Sequence, residues 1–192
     1  MLFIDGRVLE APENAPVAGV SVTLLQQNLD GGTFSSAYVP VNTVITNASG
    51  AFSFEFERSN TGSYKLEFRK TLYFEKDLTI NPDNIQLGNP YSTTQYIQPK
   101  AWVSTRLYNA LPQNELDLIE FNYTNASFDC ACCSNSRLDL YGTTVDTSFI
   151  CALPGGYNLS YLVNVTKDTS DLFLLESIIC PKFDTTYIDV GY

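Results

Sequence analysis

Strict alternation of apolar and polar residues limits the folds open to this 192-residue chain more than any other feature. Phe52, Phe54 and Phe56 fall on one side of an extended backbone, and Ser53, Glu55 and Glu57 on the other. Tyr64, Leu66 and Phe68 alternate with Lys65, Glu67 and Arg69, and the stretch Tyr157 to Val165 repeats the pattern. Successive side chains of a strand point to opposite faces, so each run predicts a strand with one face in a core and one in water. Residues 115–123 read the same way, because Ile119, Phe121 and Tyr123 alternate better as a strand than as a helix. Turn signals separate the runs: Asn47-Ala48-Ser49-Gly50, Ser59-Asn60-Thr61-Gly62 and Pro154-Gly155-Gly156. Short strands divided by such turns predict an all-β chain of small antiparallel β-sandwiches with almost no helix. With 12 Tyr, 12 Phe and one Met, the composition suits pleated, half-buried surfaces.

A boundary is expected where breakers cluster. Asn81-Pro82-Asp83-Asn84 and Gly88-Asn89-Pro90 precede the polar stretch Ser92-Thr93-Thr94-Gln95, and a new strand pattern starts after Pro99. The expected organisation is a first sandwich over 1–85, a linker over 86–98, and a second sandwich over 99–192 that carries all the cysteines. No close internal sequence repeat is visible.

Several elements of the first half fall in a familiar order: Gly6-x-Val8; Pro16-Val17-Ala18-Gly19-Val20-x-Val22-x-Leu24; Thr46-x-x-x-Gly50-x-Phe52-x-Phe54; Tyr64-x-Leu66-x-Phe68. This pattern resembles the carboxypeptidase-regulatory-like, transthyretin-like (prealbumin-like) β-sandwich. The resemblance implies a fold and says little about function. The segment Asn28 to Tyr38, with Gly31-Gly32, reads as a loop longer than such a module needs. The second half, through Ala101 to Asn109, Leu153-Pro154-Gly155-Gly156 and Cys180-Pro181-x-Phe183-Asp184-Thr185-Thr186, resembles the companion domain of secreted Bacteroidota-type surface lipoproteins. That resemblance implies an extracellular, outer-membrane-surface or periplasmic location. Met1-Leu2-Phe3-Ile4 runs straight into Asp5-Gly6-Arg7, and no Cys precedes Cys130, so a signal or lipid-anchor segment is expected to be absent from this chain.

A formal net charge of −10, with 11 Lys and Arg and no basic run, argues against nucleic acid as a partner. No apolar run approaches the roughly 20 residues a transmembrane helix needs. The chain has no His, which removes Ser-His-Asp and Cys-His systems and His-ligated zinc hydrolysis. It also lacks a phosphate-cradling Gly-x-x-x-x-Gly-Lys. Neither catalysis nor a cofactor is expected.

Cys130, Cys132, Cys133, Cys151 and Cys180 admit three readings: two disulfides with one free thiol, five reduced thiols, or a thiolate metal site. In the disulfide reading the chain folds Cys151 back towards Cys133, which leaves Cys180 to meet Cys130 or Cys132. Tyr91, Tyr96 and Trp102 are candidates for an aromatic ligand platform. The expected function is a non-catalytic envelope or extracellular accessory protein that binds a protein partner through sheet edges or loops. A glycan-binding module is the alternative.

Overall fold

The computed structural model describes residues 1–30, 33–126 and 133–192. The chain folds as two compact units, Met1–Gln98 and Pro99–Tyr192. The first unit contains β1 (Leu2–Glu10), β2 (Ala15–Pro16), β3 (Ser21–Asp30), β4 (Thr33–Ile45), β5 (Ala51–Phe56), β6 (Thr61–Arg69), β7 (Lys76–Ile80) and β8 (Tyr91–Ile97). The second contains β9 (Lys100–Tyr108), β10 (Leu118–Tyr123), β11 (Leu138–Tyr141), β12 (Asp146–Pro154), β13 (Tyr157–Lys167), β14 (Ser170–Cys180) and β15 (Thr185–Gly191). Among the described residues the one helical element is a 3₁₀ turn at Pro82–Asn84.

Each unit is a sandwich of two sheets. In the first, β1 lies between β5, antiparallel, and β8, parallel; the facing sheet runs β4-β3-β6-β7. In the second, β9 lies between β12, antiparallel, and β15, parallel; the facing sheet runs β11-β10-β13-β14. Apart from the two-residue β2, the strands correspond one for one, β1 with β9 and so on to β8 with β15. The chain is therefore a topological duplication. The sequence hides it because the two halves share a burial rhythm rather than residue identities.

Alternation builds both cores. Ile4, Phe54, Phe56, Tyr64, Leu66 and Phe68 are buried in the first unit. Phe52 meets Phe54 and Phe68 edge-on, with ring centroids 6.0 and 5.8 Å apart. In the second unit Phe121 packs against Tyr123, Phe149 and Tyr161 with centroids within 5.9 Å. Burying one such ring contributes about 1.5–3 kcal/mol. Gly6 is required opposite Phe52: a Cβ there would stand 2.5 Å from the Phe52 ring and 2.6 Å from the Thr93 carbonyl. Gly50 closes its turn at φ +72°, donating to the Asn47 carbonyl at 2.9 Å while Asn47 Oδ1 accepts from the N–H of Ser49 and Ala51.

Two expectations need correction. Residues 86–98 are not a plain linker, because Tyr91–Ile97 is β8, paired with β1 in seven registers from Ile4↔Tyr91 to Glu10↔Ile97. Its polar residues mark an edge strand with one wet face, and its partner lies far away in sequence. Nor is the segment from Asn28 to Tyr38 a simple loop. β3 continues to Asp30 and β4 begins at Thr33; Gly31 and Gly32 lie outside the described residues.

Candidate interaction surface

The edges of the second sheet in each unit differ sharply in chemistry. Both β7 and β14 pair with one strand, β6 and β13 respectively, and leave their other edge without a strand partner among the described residues. β7 spans five residues. The outer face that it shares with β6 carries interlocking ions: Arg69 reaches Asp77 at 2.7 Å, Glu75 at 3.2 Å and Glu67 at 3.7 Å, and Lys65 pairs with Glu67 and Asp77. Charges of this kind blunt an edge against strand addition.

β14 spans eleven residues and exposes Leu172 (50 %), Phe173 (66 %), Leu175 (61 %) and Ile179 (67 %). Phe173, Leu175 and Ile179 point outward, opposite Asn164, Leu162 and Asn158 of β13. The two-residue turn Asp168-Thr169 makes Lys167 and Ser170 a hydrogen-bonded pair, so bonds to β13 come from the even residues of β14. The other side of β13 agrees, since Thr124 N–H donates to the Ser160 carbonyl at 2.9 Å and the even residues of β13 therefore serve β10. Asp171, Phe173, Leu175, Ser177 and Ile179 are left with N–H and C=O directed away from the sheet. The edge combines free backbone groups with apolar side chains, which is what an added strand needs. Inward-facing Glu176 accepts a 2.5 Å hydrogen bond from Tyr161, and burial together with that carboxylate pushes the Tyr161 phenol up to about 12.

Of the residues expected to form an aromatic platform, Tyr91 and Tyr96 belong to the first unit and Trp102 to the second. Tyr91 turns towards the first core while Tyr96, five residues on, faces out at 48 % exposure. Trp102 belongs to the second unit, on the outer face of β9. Its neighbours there, which sequence reasoning passed over, are exposed Ile150 and Tyr187, both aligned with Ser104 in the registers of β12 and β15.

Cys133 and Cys151 are joined, and the Cys133 N–H donates to the Ala152 carbonyl at 3.0 Å, so the segment before β11 is tied to β12. Cys180, expected to meet Cys130 or Cys132, is instead a free buried thiol, and burial pushes its pKa up. Cys130 and Cys132 lie outside the described residues. Among the described residues no three His, Cys, Asp or Glu side chains converge as a metal site, and no helix is long and apolar enough to cross a membrane. The cavity lined by Asp5, Gly6, Arg7, Phe52, Ser92 and Thr94, about 490 Å³, opens widely to solvent at the β5-β1-β8 sheet.

No protein-family model matches the chain, and no curated protein matches it. Solved structures with some likeness include the Bacillus anthracis TIE protein, at 11 % identity and TM-score 0.40 over 98 % of this chain. This chain spans about a third of that protein's length, 33 %. The shaft pilin SpaA from Lactobacillus rhamnosus GG matches at 10 % identity and TM-score 0.35, covering 99 % of this chain and 96 % of the pilin. BcpA, the major pilin subunit of Bacillus cereus, matches at 9 % identity and TM-score 0.36, covering 93 % and 69 %. Likeness at this level assigns neither family nor function.

Proposed function

We propose that this protein is a non-catalytic structural or accessory protein of a cell envelope or extracellular surface, and that it binds a protein partner by strand addition at β14. The observation that carries this reading is the contrast between equivalent edges: β7 is short and charged, whereas β14 is eleven residues long with Phe173, Leu175 and Ile179 exposed. Long apolar edges are ordinarily blunted in proteins that remain alone in solution, so an unblunted one calls for a cover. The added segment is extended, apolar at alternate positions and free of acidic side chains opposite Asp171 and Glu176. Two β-sandwiches in tandem, the first resembling carboxypeptidase-regulatory-like modules, suit a scaffold role. The Cys133–Cys151 disulfide suits an oxidising compartment.

Leu175→Pro tests the reading cleanly. It removes an outward N–H and leaves the bonds to β13 in place. The wild-type chain is expected to retain a stoichiometric partner from the native envelope, and Leu175→Pro and Phe173→Lys to lose it while keeping the wild-type circular dichroism. Retention of the same partner by both folded variants would sink the strand-addition reading.

A further inference from the structure

The free edge of β14 is complementary to itself. Asp171, Phe173, Leu175, Ser177 and Ile179 direct their N–H and C=O away from β13. A second copy of the strand, laid antiparallel along them, pairs outward residues with outward residues, and its two-fold axis therefore passes through a residue position. The choice of that position decides which side chains face one another. An axis at Glu176 sets this carboxylate against its own copy, and like charges directly opposite destabilise a ladder. An axis at Leu175 places Asp171 against Ile179 of the second copy, and one at Phe173 places it against Leu175 of the second copy. Axes nearer either end leave much of the strand unpaired. An axis at Leu174 avoids all of these faults.

With the axis at Leu174, Phe173 lies opposite Leu175 of the second copy and Asp171 opposite Ser177 of the second copy, each pair occurring twice by symmetry. Ser177 Oγ stands 2.7 Å from Ser160 Oγ, and either oxygen can donate. With Ser160 donating, the Ser177 hydroxyl keeps its own proton for the facing Asp171 carboxylate. On the inner face Leu174 meets its own copy, and Leu172 covers the stem of Glu176 of the second copy. Leu172 stands opposite buried Val165 yet is 50 % exposed, so the core of its own unit leaves it partly uncovered. The strand thus has the properties required of its cover: it is extended, apolar at alternate positions and free of acids opposite Asp171 and Glu176. We propose that the segment received by β14 is β14 of a second copy of this chain, antiparallel about Leu174. The sheet β11-β10-β13-β14 then continues across the axis into its counterpart.

This inference rests on the strand-addition reading and names the partner for it. It also fixes how the association responds to salt. Each copy carries a formal net charge of −10, so two copies repel one another at a distance. The contact itself is made by backbone hydrogen bonds and by Phe173, Leu174 and Leu175, which salt does not screen. Added salt weakens the repulsion and leaves the attraction in place, so the dimer tightens as ionic strength rises. A basic foreign segment drawn to this acidic chain behaves in the opposite way and is released by salt.

The test is sedimentation velocity of the purified full-length chain over a concentration series at low and high salt. The expected result is a reversible monomer–dimer equilibrium that tightens with salt. Leu175→Pro should sediment as a monomer while keeping the wild-type circular dichroism. Ser177→Lys, which sets a cation against Asp171 of the second copy, should tighten the dimer at least about twofold. Thr144→Lys makes the same change of charge in the exposed turn before β12 and should leave the dimer as it was. A dimer that survives Leu175→Pro, or that Ser177→Lys fails to tighten, overturns the inference. A chain that stays monomeric, while the native envelope yields a different protein that Leu175→Pro loses, overturns the second copy and leaves strand addition standing. A monomeric chain with no partner sensitive to Leu175→Pro overturns both.

Discussion

β7 and β14 hold the same place in their two units and present opposite surfaces. The first unit ends its sheet with five residues and an ion lattice on Arg69, while the second ends with eleven residues and a row of exposed aliphatic and aromatic side chains. The units are also held differently. The first is held by its apolar core and ion lattice without a disulfide, for all five cysteines lie at or beyond Cys130. The second adds the Cys133–Cys151 bond and the hydrogen-bonded Asn109–Asp117–Lys167 group. One architecture was thus kept twice while edge chemistry and fastening diverged, so topology fixes where a surface lies and the residues decide what it can do.

The largest expected effect strikes the shared principle. Phe54→Ala and Phe121→Ala each remove a ring exposed by 2 % or less, and each should cost about 3–5 kcal/mol. Hydrogen exchange should place the loss in Met1–Gln98 for the first variant and in Pro99–Tyr192 for the second. Equal loss in both units after either substitution would break the picture of two separate cores.

A smaller effect separates the fastenings. Cys133→Ala with Cys151→Ala opens an 18-residue separation and should cost the second unit about 2–4 kcal/mol. Urea titration with and without reductant should show the same shift for the wild-type second unit and none for residues 1–98. A reductant effect on the first unit would contradict the division.

The smallest effect is a matter of pH. Arg137 holds Asp139, and Arg106 holds Asp146, below the ordinary carboxylate value. A depressed carboxylate contributes stability above its unfolded value, lost as pH falls through the folded one. The second unit should therefore weaken modestly below about pH 4. In the first unit the hydrogen bond that Lys65 donates to Glu67 raises the Lys65 pKa, so its contribution is full below the unfolded value of 10.5 and fades as pH rises through the folded one. Urea midpoints across pH, read separately for each unit, should separate the two trends.

Much of the fold was legible because alternation is a local signal. Phe52, Phe54 and Phe56 announced β5, and Ile119, Phe121 and Tyr123 announced β10. β8 was missed because its polar residues and flanking breakers resemble a linker, and its pairing with β1 spans most of the unit. The Leu172–Leu175 run carries no sign of whether an apolar strand is covered. Exposure depends on which strand comes last in the sheet, and topology alone decides that. Asn109 and Asp117 stand eight residues apart, but Lys167 lies 58 residues beyond Asn109, and only the closing of β9, β10 and β13 at one place brings the three together.

The parallel pairs have a mechanical consequence. In each unit the first and last strands lie side by side and run the same way, in register over seven positions, Ile4–Glu10 against Tyr91–Ile97 and Trp102–Tyr108 against Thr185–Gly191. Tension that enters a unit through its first strand and leaves through its last pulls these neighbours in opposite directions along their length. The ladder is then loaded in shear, all rungs at once, rather than unzipped one rung at a time. Each unit is accordingly built to bear load along the direction in which the chain passes through it.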